Sequence, residues 1–263
     1  MSRLGWPAGV GLARMLVERN AMSFRRSSIV PFVTGFLEPV FYLFSLGVGL
    51  GAVVGSVATD RGTLVPYAAF VAPAMLATSA MNAGVMDSTF NVFFKLKYAR
   101  LYDSVLATPM GPRDVAVGEV AWSLLRGGSY AAVFLLVAAL AGLVPSWWGL
   151  LALPDAGFVG FAFSAMGMCA TTFMRSWVDF DLINLVVQPM FLLSATFFPL
   201  AAYPSWGQTL VQATPLYHGV ALCRALTLGE LDTGLWWHVL VLAALGGVGV
   251  LGAARRFDRL LLR

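Results

Sequence analysis

Six apolar stretches set the rhythm of the chain, at about 31–54, 65–88, 116–141, 149–173, 182–200 and 236–254, with polar connections between them. A helix rises about 1.5 Å per residue, so about 20 residues cross the roughly 30 Å hydrocarbon layer of a bilayer. The stretches and their connections consume nearly the whole chain. The pattern therefore predicts an all-α, polytopic membrane protein with six transmembrane helices, organised as a single domain over residues 1–263.

The segments outside the six stretches carry their own signals. Before the first one, Arg3, Arg14, Arg19, Arg25 and Arg26 are interleaved with Leu12, Met15, Leu16, Met22 and Phe24. This spacing predicts an amphipathic helix in the interface plane, although Arg19 interrupts its apolar stripe and a plain basic tail is the alternative. Residues 89–114 form the longest polar connection, and within them Tyr98 to Thr108 predicts a short helix ended by Pro109 and Gly111-Pro112. Residues 201–235 are the least regular part, and the piece around 207–226 either lies at the surface or dips in and returns. Irregular backbone is tolerated at depth only where protein or a watery cavity satisfies it.

Small residues suggest where helices approach closely. Gly47, Gly51 and Gly55 recur at spacing four in the first stretch, and Gly157, Gly160, Ser164 and Gly167 give the fourth a small-sided face. Polar residues inside the stretches are costly in lipid and call for partners: Glu38, Asp87, Glu119, Arg126, Asp155, Asn184 and Gln188. Glu119 and Arg126 lie two helical turns apart on one side, too far to pair with each other. Each therefore snorkels or finds a partner on another helix. Glu38, Arg126, Asn184 and Gln188 are the candidates for lining a pathway.

Composition and charge sharpen this picture. The chain is 59% hydrophobic and 11% charged, whereas soluble domains carry about 25% charged residues. The net charge of +4 does not point to nucleic acid, because the charges form short clusters and no basic helix face emerges. Their placement reads as orientation instead. The N-terminal segment, the 89–114 connection, Arg175 and the C-terminal cluster hold fourteen Lys and Arg on one side, against Arg61 and Arg224 on the other. That asymmetry predicts both termini in the cytoplasm. The first apolar run begins near Pro31, too late and too long for a cleavable signal peptide.

Catalytic chemistry is not apparent. Neither Lys95 nor Lys97 follows a glycine, so the chain has no phosphate-cradling Gly-Lys-Ser/Thr loop, and it shows no HExxH, GxSxG or clustered metal ligands. We expect no catalytic, cofactor-binding or metal residues. Cys169 and Cys223 lack a CxxC neighbour and read as structural. His238, beside Trp236-Trp237, reads as an interface anchor, and His218 as a polar contact, a helix cap or a substrate contact.

Three stretches carry a family resemblance: Tyr98-Ala99-Arg100-Leu101-Tyr102-Asp103-Ser104-Val105-Leu106-Ala107-Thr108-Pro109-Met110, then Pro189 through Leu200, then Thr214-Pro215-Leu216-Tyr217-His218-Gly219-Val220. With the basic N-terminal segment and the six stretches, the chain resembles the membrane subunit of type-2 ABC exporters, in the bacterial branch of nodulation lipo-oligosaccharide and daunorubicin-type drug exporters. The resemblance implies a permease half-subunit in the bacterial plasma (inner) membrane, paired with itself or a homologous permease as a dimer. It also implies a separate ABC ATPase subunit docking from the cytoplasm on a short coupling helix, with Arg100, Leu101, Tyr102 and Asp103 at the contact. Pro215 and His218 would belong to a re-entrant outer segment before the last helix. The substrate implied is a hydrophobic or amphipathic drug, lipid or glycolipid. An ion-coupled carrier using Glu38, Asp87 or Glu119 as a proton relay is the alternative, but it calls for an internal repeat that is not apparent. A non-transporting membrane scaffold is the third reading.

Overall fold

In a computed structural model, residues 8–26, 30–99 and 101–261 are described. The chain opens with α1 (Ala8–Arg26), which buries Ala13, Leu16 and Asn20 on one side while Met15 and Met22 stay exposed. That side lies along the start of a later helix, α7, where a Cβ at Gly118 would stand 2.8 Å from Leu16. Next come α2 (Val30–Phe44), a π-helical stretch Ser45–Leu50 and α3 (Gly51–Val54), which together run on as one rod through Pro39. A short antiparallel hairpin, β1 (Ser56–Ala58) and β2 (Leu64–Pro66), caps this rod, so the fold is mostly helical rather than all-α.

The second rod is α4 (Tyr67–Met86), a π turn Asp87–Asn91 and α5 (Val92–Lys97). It forms the pillar of the bundle and is buried nearly all round from Tyr67 to Val85. Its helix continues to Lys97, well past the expected end at 88, because the polar residues Asp87, Ser88 and Thr89 are buried against other helices instead of breaking the rod. The short α6 (Leu101–Leu106) follows, then α7 (Pro112–Leu140). Pro112 occupies the first turn of α7, where its missing N–H costs nothing, and the Gly111 N–H donates to Asp114 Oδ2 at 2.9 Å.

The fourth stretch is a 3₁₀ turn Trp147–Leu151 and α8 (Ala152–Thr171). Its small face seats the pillar: a Cβ at Gly84 would stand 2.6 Å from the Gly160 carbonyl oxygen, and one at Gly167 would collide with Ser88. Gly160, Ser164 and Gly167 thus serve close approach, as the small-residue pattern suggested, while Gly157 faces open space. The spacing of Gly47, Gly51 and Gly55 does not make one seam. Only Gly47 meets another element, at Ala68, and Gly55 is a turn residue at φ +73°.

After α8 come α9 (Asp179–Leu193), α10 (Ser205–Ala213), α11 (Pro215–Leu228) and α12 (Leu235–Leu261). The main core is built from α4, α7, α8, α11 and α12, with Phe70, Met81, Phe134, Leu216 and Leu242 at its centre. Among the described residues, five helical stretches are long and apolar enough to cross a membrane: Leu37–Val54, Tyr67–Lys97, Asp114–Leu140, Trp147–Thr171 and Leu235–Arg256. The expected stretch at 182–200 is shorter than its hydropathy suggested, because α9 stops at Leu193 after 15 residues. Beyond it the chain unwinds at Ser194 and Ala195, the latter at φ 54° and fully buried. The segment around 207–226 is ordered helix, with α11 buried over most of its length.

Candidate functional site

Polar side chains that lipid would reject converge on one cavity of about 360 Å³ between α2, α4, α7 and α9. Glu38 and Tyr42 come from α2, Asn82 from α4, Arg126 from α7 and Gln188 from α9. Three of the four residues expected to line a pathway, Glu38, Arg126 and Gln188, are therefore brought together. Asn184 lies one turn before Gln188, exposed and away from the cavity lining. Apolar walls come from Met75, Met86 and Phe191. The α9 side of the cavity is fixed by side chains rather than by close backbone packing. Phe191 meets Tyr42 with ring centroids 6.2 Å apart. At the other end of α9, Phe180 and Trp177 pack on Phe93 of α5 at 5.4 and 5.7 Å.

Arg126 does not snorkel. Its Nη2 pairs with Asp87 Oδ1 at 2.9 Å, and Asn91 Nδ2 donates to the same oxygen at 2.6 Å. Asp87 Oδ2 and Arg126 Nε are buried and lack a hydrogen-bond partner among the described residues. Two turns nearer the inner end, Glu119 is 4% exposed and receives four hydrogen bonds. Lys95 Nζ donates to both of its oxygens at 2.8 and 2.6 Å, Asn20 Nδ2 donates at 3.2 Å, and Tyr102 Oη donates at 3.1 Å. Four elements, α1, α5, α6 and α7, thus meet on one carboxylate. Around it pack Leu16, Val92, Val115, Met168 and Ala253.

Tyr102 accordingly turns inward, at 1% exposed, while Leu101 is half-buried beside it. Arg100 and the side chain of Asp103 lie outside the described residues. Hydropathy treated Lys95 as a loop charge and gave Asn20 no role. The available signal for Asn20 was its place one turn after Leu16, a polar residue on the apolar stripe.

The outer end is organised around Arg224. Counted in sequence as an outer-side charge, it is in fact 5% exposed within α11. Its Nη2 donates to the Ala195 carbonyl at 2.9 Å, its Nε to the Phe70 carbonyl at 3.4 Å, and its guanidinium lies 3.8 Å from the Phe70 ring centroid. Tyr67 Oη donates to the Phe197 carbonyl at 3.2 Å. Arg224 and Tyr67 thus satisfy the Ala195 and Phe197 carbonyls in the stretch beyond α9, which is the condition for unwound backbone at depth, while the Phe70 carbonyl belongs to α4. Pro215 starts α11. His218 and His238 bring their Nδ1 atoms to 2.7 Å, a polar contact for both, and the Cys223 thiol donates to Asp155 Oδ2 at 3.1 Å.

A helical bundle with five apolar stretches long enough to cross a membrane, and with a cavity between them lined by polar side chains, fits a membrane transport subunit. The ABC-2 type transporter family model matches residues 12–228, and the chain belongs to that family. It is similar to Nodulation protein J of Rhizobium leguminosarum bv. viciae, 34% identical over 239 residues and 90% of each chain. The same-named protein of Sinorhizobium fredii is 34% identical over 84% of this chain and 83% of its own. That of Bradyrhizobium diazoefficiens is 28% identical over 94% and 92%. The chain is the non-catalytic permease half of an ABC exporter for a hydrophobic or lipid-like substrate, a multi-pass protein of the bacterial inner membrane. ATP hydrolysis belongs to a separate ABC ATPase partner.

Proposed function

We propose that the cavity between α2, α4, α7 and α9 is this subunit's share of the export path. The convergence of Glu38, Asn82, Arg126 and Gln188 from four helices carries the reading. Polar groups in an apolar layer are costly unless they face protein or water, and a path for an amphipathic substrate gives them water and a ligand. In this reading the whole chain is one membrane domain with six crossings. α9 is the short crossing, completed by the unwound segment after Ser194. α10 and α11, with Pro215 and His218, form the re-entrant outer part, and α1 lies in the inner interface.

The short helix α6 is the coupling helix, meeting the ATPase through Arg100, Leu101 and Asp103 while Tyr102 holds it to the bundle. A second copy, or a homologous permease, covers the exposed apolar faces of α2 and α9. Those faces include Phe41, Phe44, Leu182 and Leu185, at 61 to 69% exposed.

The test is thiol accessibility in proteoliposomes holding the permease with its ATPase subunit. Cys169 and Cys223 are first replaced by Ser and Ala. Cysteines introduced as Asn82→Cys and Gln188→Cys should react with a membrane-impermeant maleimide at a rate that changes between ATP-free and ATP–vanadate states. Val53→Cys, on the exposed face of α3, should react slowly in both. Equal, nucleotide-independent rates at all three positions would overturn the reading.

A further inference from the structure

We infer that the two ion pairs joining the α4–α5 rod to α7 form a charge ladder that carries displacement of α6 to the cavity, with Glu119 as the positioning residue at its foot. The inference rests on the reading of the cavity as the export path.

The ladder is visible in the order of its signs. Going inward, the α4–α5 rod presents Asp87 and then Lys95, while α7 presents Arg126 and then Glu119. The rungs lie two turns apart, about 10 Å along the helices. Sliding α7 inward by one rung would set Arg126 against Lys95. Sliding it outward would set Glu119 against Asp87. Like charges at contact distance are strongly repulsive where the dielectric is low, so the two helices are held to one register by what the alternatives cost as well as by what the pairs contribute.

The two rungs are built differently. The foot is saturated: Glu119 has donors from Lys95, Asn20 and Tyr102, and Lys95 also donates to Asn20 Oδ1 at 3.3 Å. A pull on α6 therefore acts through Tyr102 on a carboxylate shared with α5, α7 and α1. The upper rung is unsaturated, with Asp87 Oδ2 and Arg126 Nε both lacking partners among the described residues. Asp87 also opens the π turn Asp87–Asn91, a local irregularity of the kind that occurs inside α-helices at functional sites. Arg126 lines the cavity. A rigid foot, a rung with spare hydrogen-bonding capacity and an irregular turn between them make a device in which motion at Tyr102 re-pairs Arg126. Packed interfaces convert small shifts into discrete rearrangements of this kind.

The experiment uses the permease–ATPase complex in proteoliposomes, with Asn82→Cys as reporter in the background free of native cysteines. It reads the ATP-dependent change in labelling rate divided by ATP hydrolysed. Glu119→Gln, which removes the charge and keeps the shape, should lower this ratio by about five-fold or more, the scale of ordinary coupling between sites. Tyr102→Phe, which leaves the ion pair intact, should lower it by about two-fold or more. Lys95→Arg, which keeps the charge, should hold the ratio near that of the parent.

A ratio at the parental level in Glu119→Gln would overturn the ladder while leaving the cavity reading in place. A fall in Lys95→Arg as deep as in Glu119→Gln would assign the effect to packing and overturn it as well. If Glu119→Gln does not assemble, Tyr102→Phe decides alone: a two-fold fall supports the ladder and a parental ratio overturns it. Absence of any nucleotide response in the parent would remove the cavity reading and the ladder with it.

Discussion

The inner and outer ends of this bundle hold their cations in opposite ways. At the inner end Lys95 and Arg126 each face a carboxylate supplied by another helix, Glu119 and Asp87. At the outer end Arg224 has no ion pair among the described residues and is held by two backbone carbonyls and the face of Phe70. The difference follows from what each cation secures. Carboxylate pairs join two continuous helices and fix how they slide. The arginine ties the chain just beyond a stopped helix to α4, and the groups it meets there are the Ala195 and Phe70 carbonyls, which accept hydrogen bonds and carry no net charge. Register is a matter for charge, whereas a chain break is a matter for donors.

Removing one partner from the inner hub is expected to do the most damage. Glu119→Leu leaves the ammonium of Lys95, the amide of Asn20 and the hydroxyl of Tyr102 without their acceptor. Breaking a fully buried pair costs about 3–5 kcal/mol; with Lys95 only partly buried the loss should lie toward the lower end, about 3 kcal/mol, and the detergent-purified protein should unfold at a clearly lower temperature. Replacing both partners, as Lys95→Met with Glu119→Leu, should recover part of that loss, because no ammonium is left unpaired, while the Asn20 amide and the Tyr102 hydroxyl still lack their acceptor. A double variant no more stable than the single one would show that the pair is not the source.

Arg224→Met should cost less, about 1–3 kcal/mol, because it takes the donor from the Ala195 carbonyl but also removes a buried cation. Its signature is local: backbone amides of residues 194–198 should exchange hydrogen faster while those of α4 stay protected. A loss as large as that of Glu119→Leu, spread over the bundle, would erase the distinction between the two ends.

Arg61→Ala should matter least. Arg61 pairs with Asp232 across the outer surface with both side chains well exposed, at 38% and 51%. Exposed pairs contribute about 0–1 kcal/mol, so the unfolding midpoint should barely move, and any effect should fade at high salt. A larger drop would mean that the outer end too depends on charge.

Much of the architecture was legible in sequence. The small face of α8 was visible as Gly160, Ser164 and Gly167, and the short helix after the second rod was marked by Pro109 and Gly111-Pro112. The polar residues Glu38, Arg126 and Gln188 stood out because nothing around them in sequence could satisfy them. The partners did not stand out. Asn20 and Glu119 are 99 residues apart, and only the packing of α1 along α7 brings them to 3.2 Å. Ser194 and Ala195 gave no local warning of a break. The apolar run continues past them to Leu200, and the donors that make the break tolerable, Arg224 and Tyr67, lie on α11 and α4.

The sequence by itself determined that lipid is the solvent and the family, and it predicts which end faces the cytoplasm. Each follows from quantities that add up residue by residue: apolar length, basic charge on each side, and motif. Tertiary structure alone decided where α9 stops, that the α4–α5 rod runs on to Lys97, and which polar groups meet. Those outcomes depend on how helices are rotated and set against one another. A hydrogen bond exists only within a few tenths of an ångström, and no sum along one chain contains that distance.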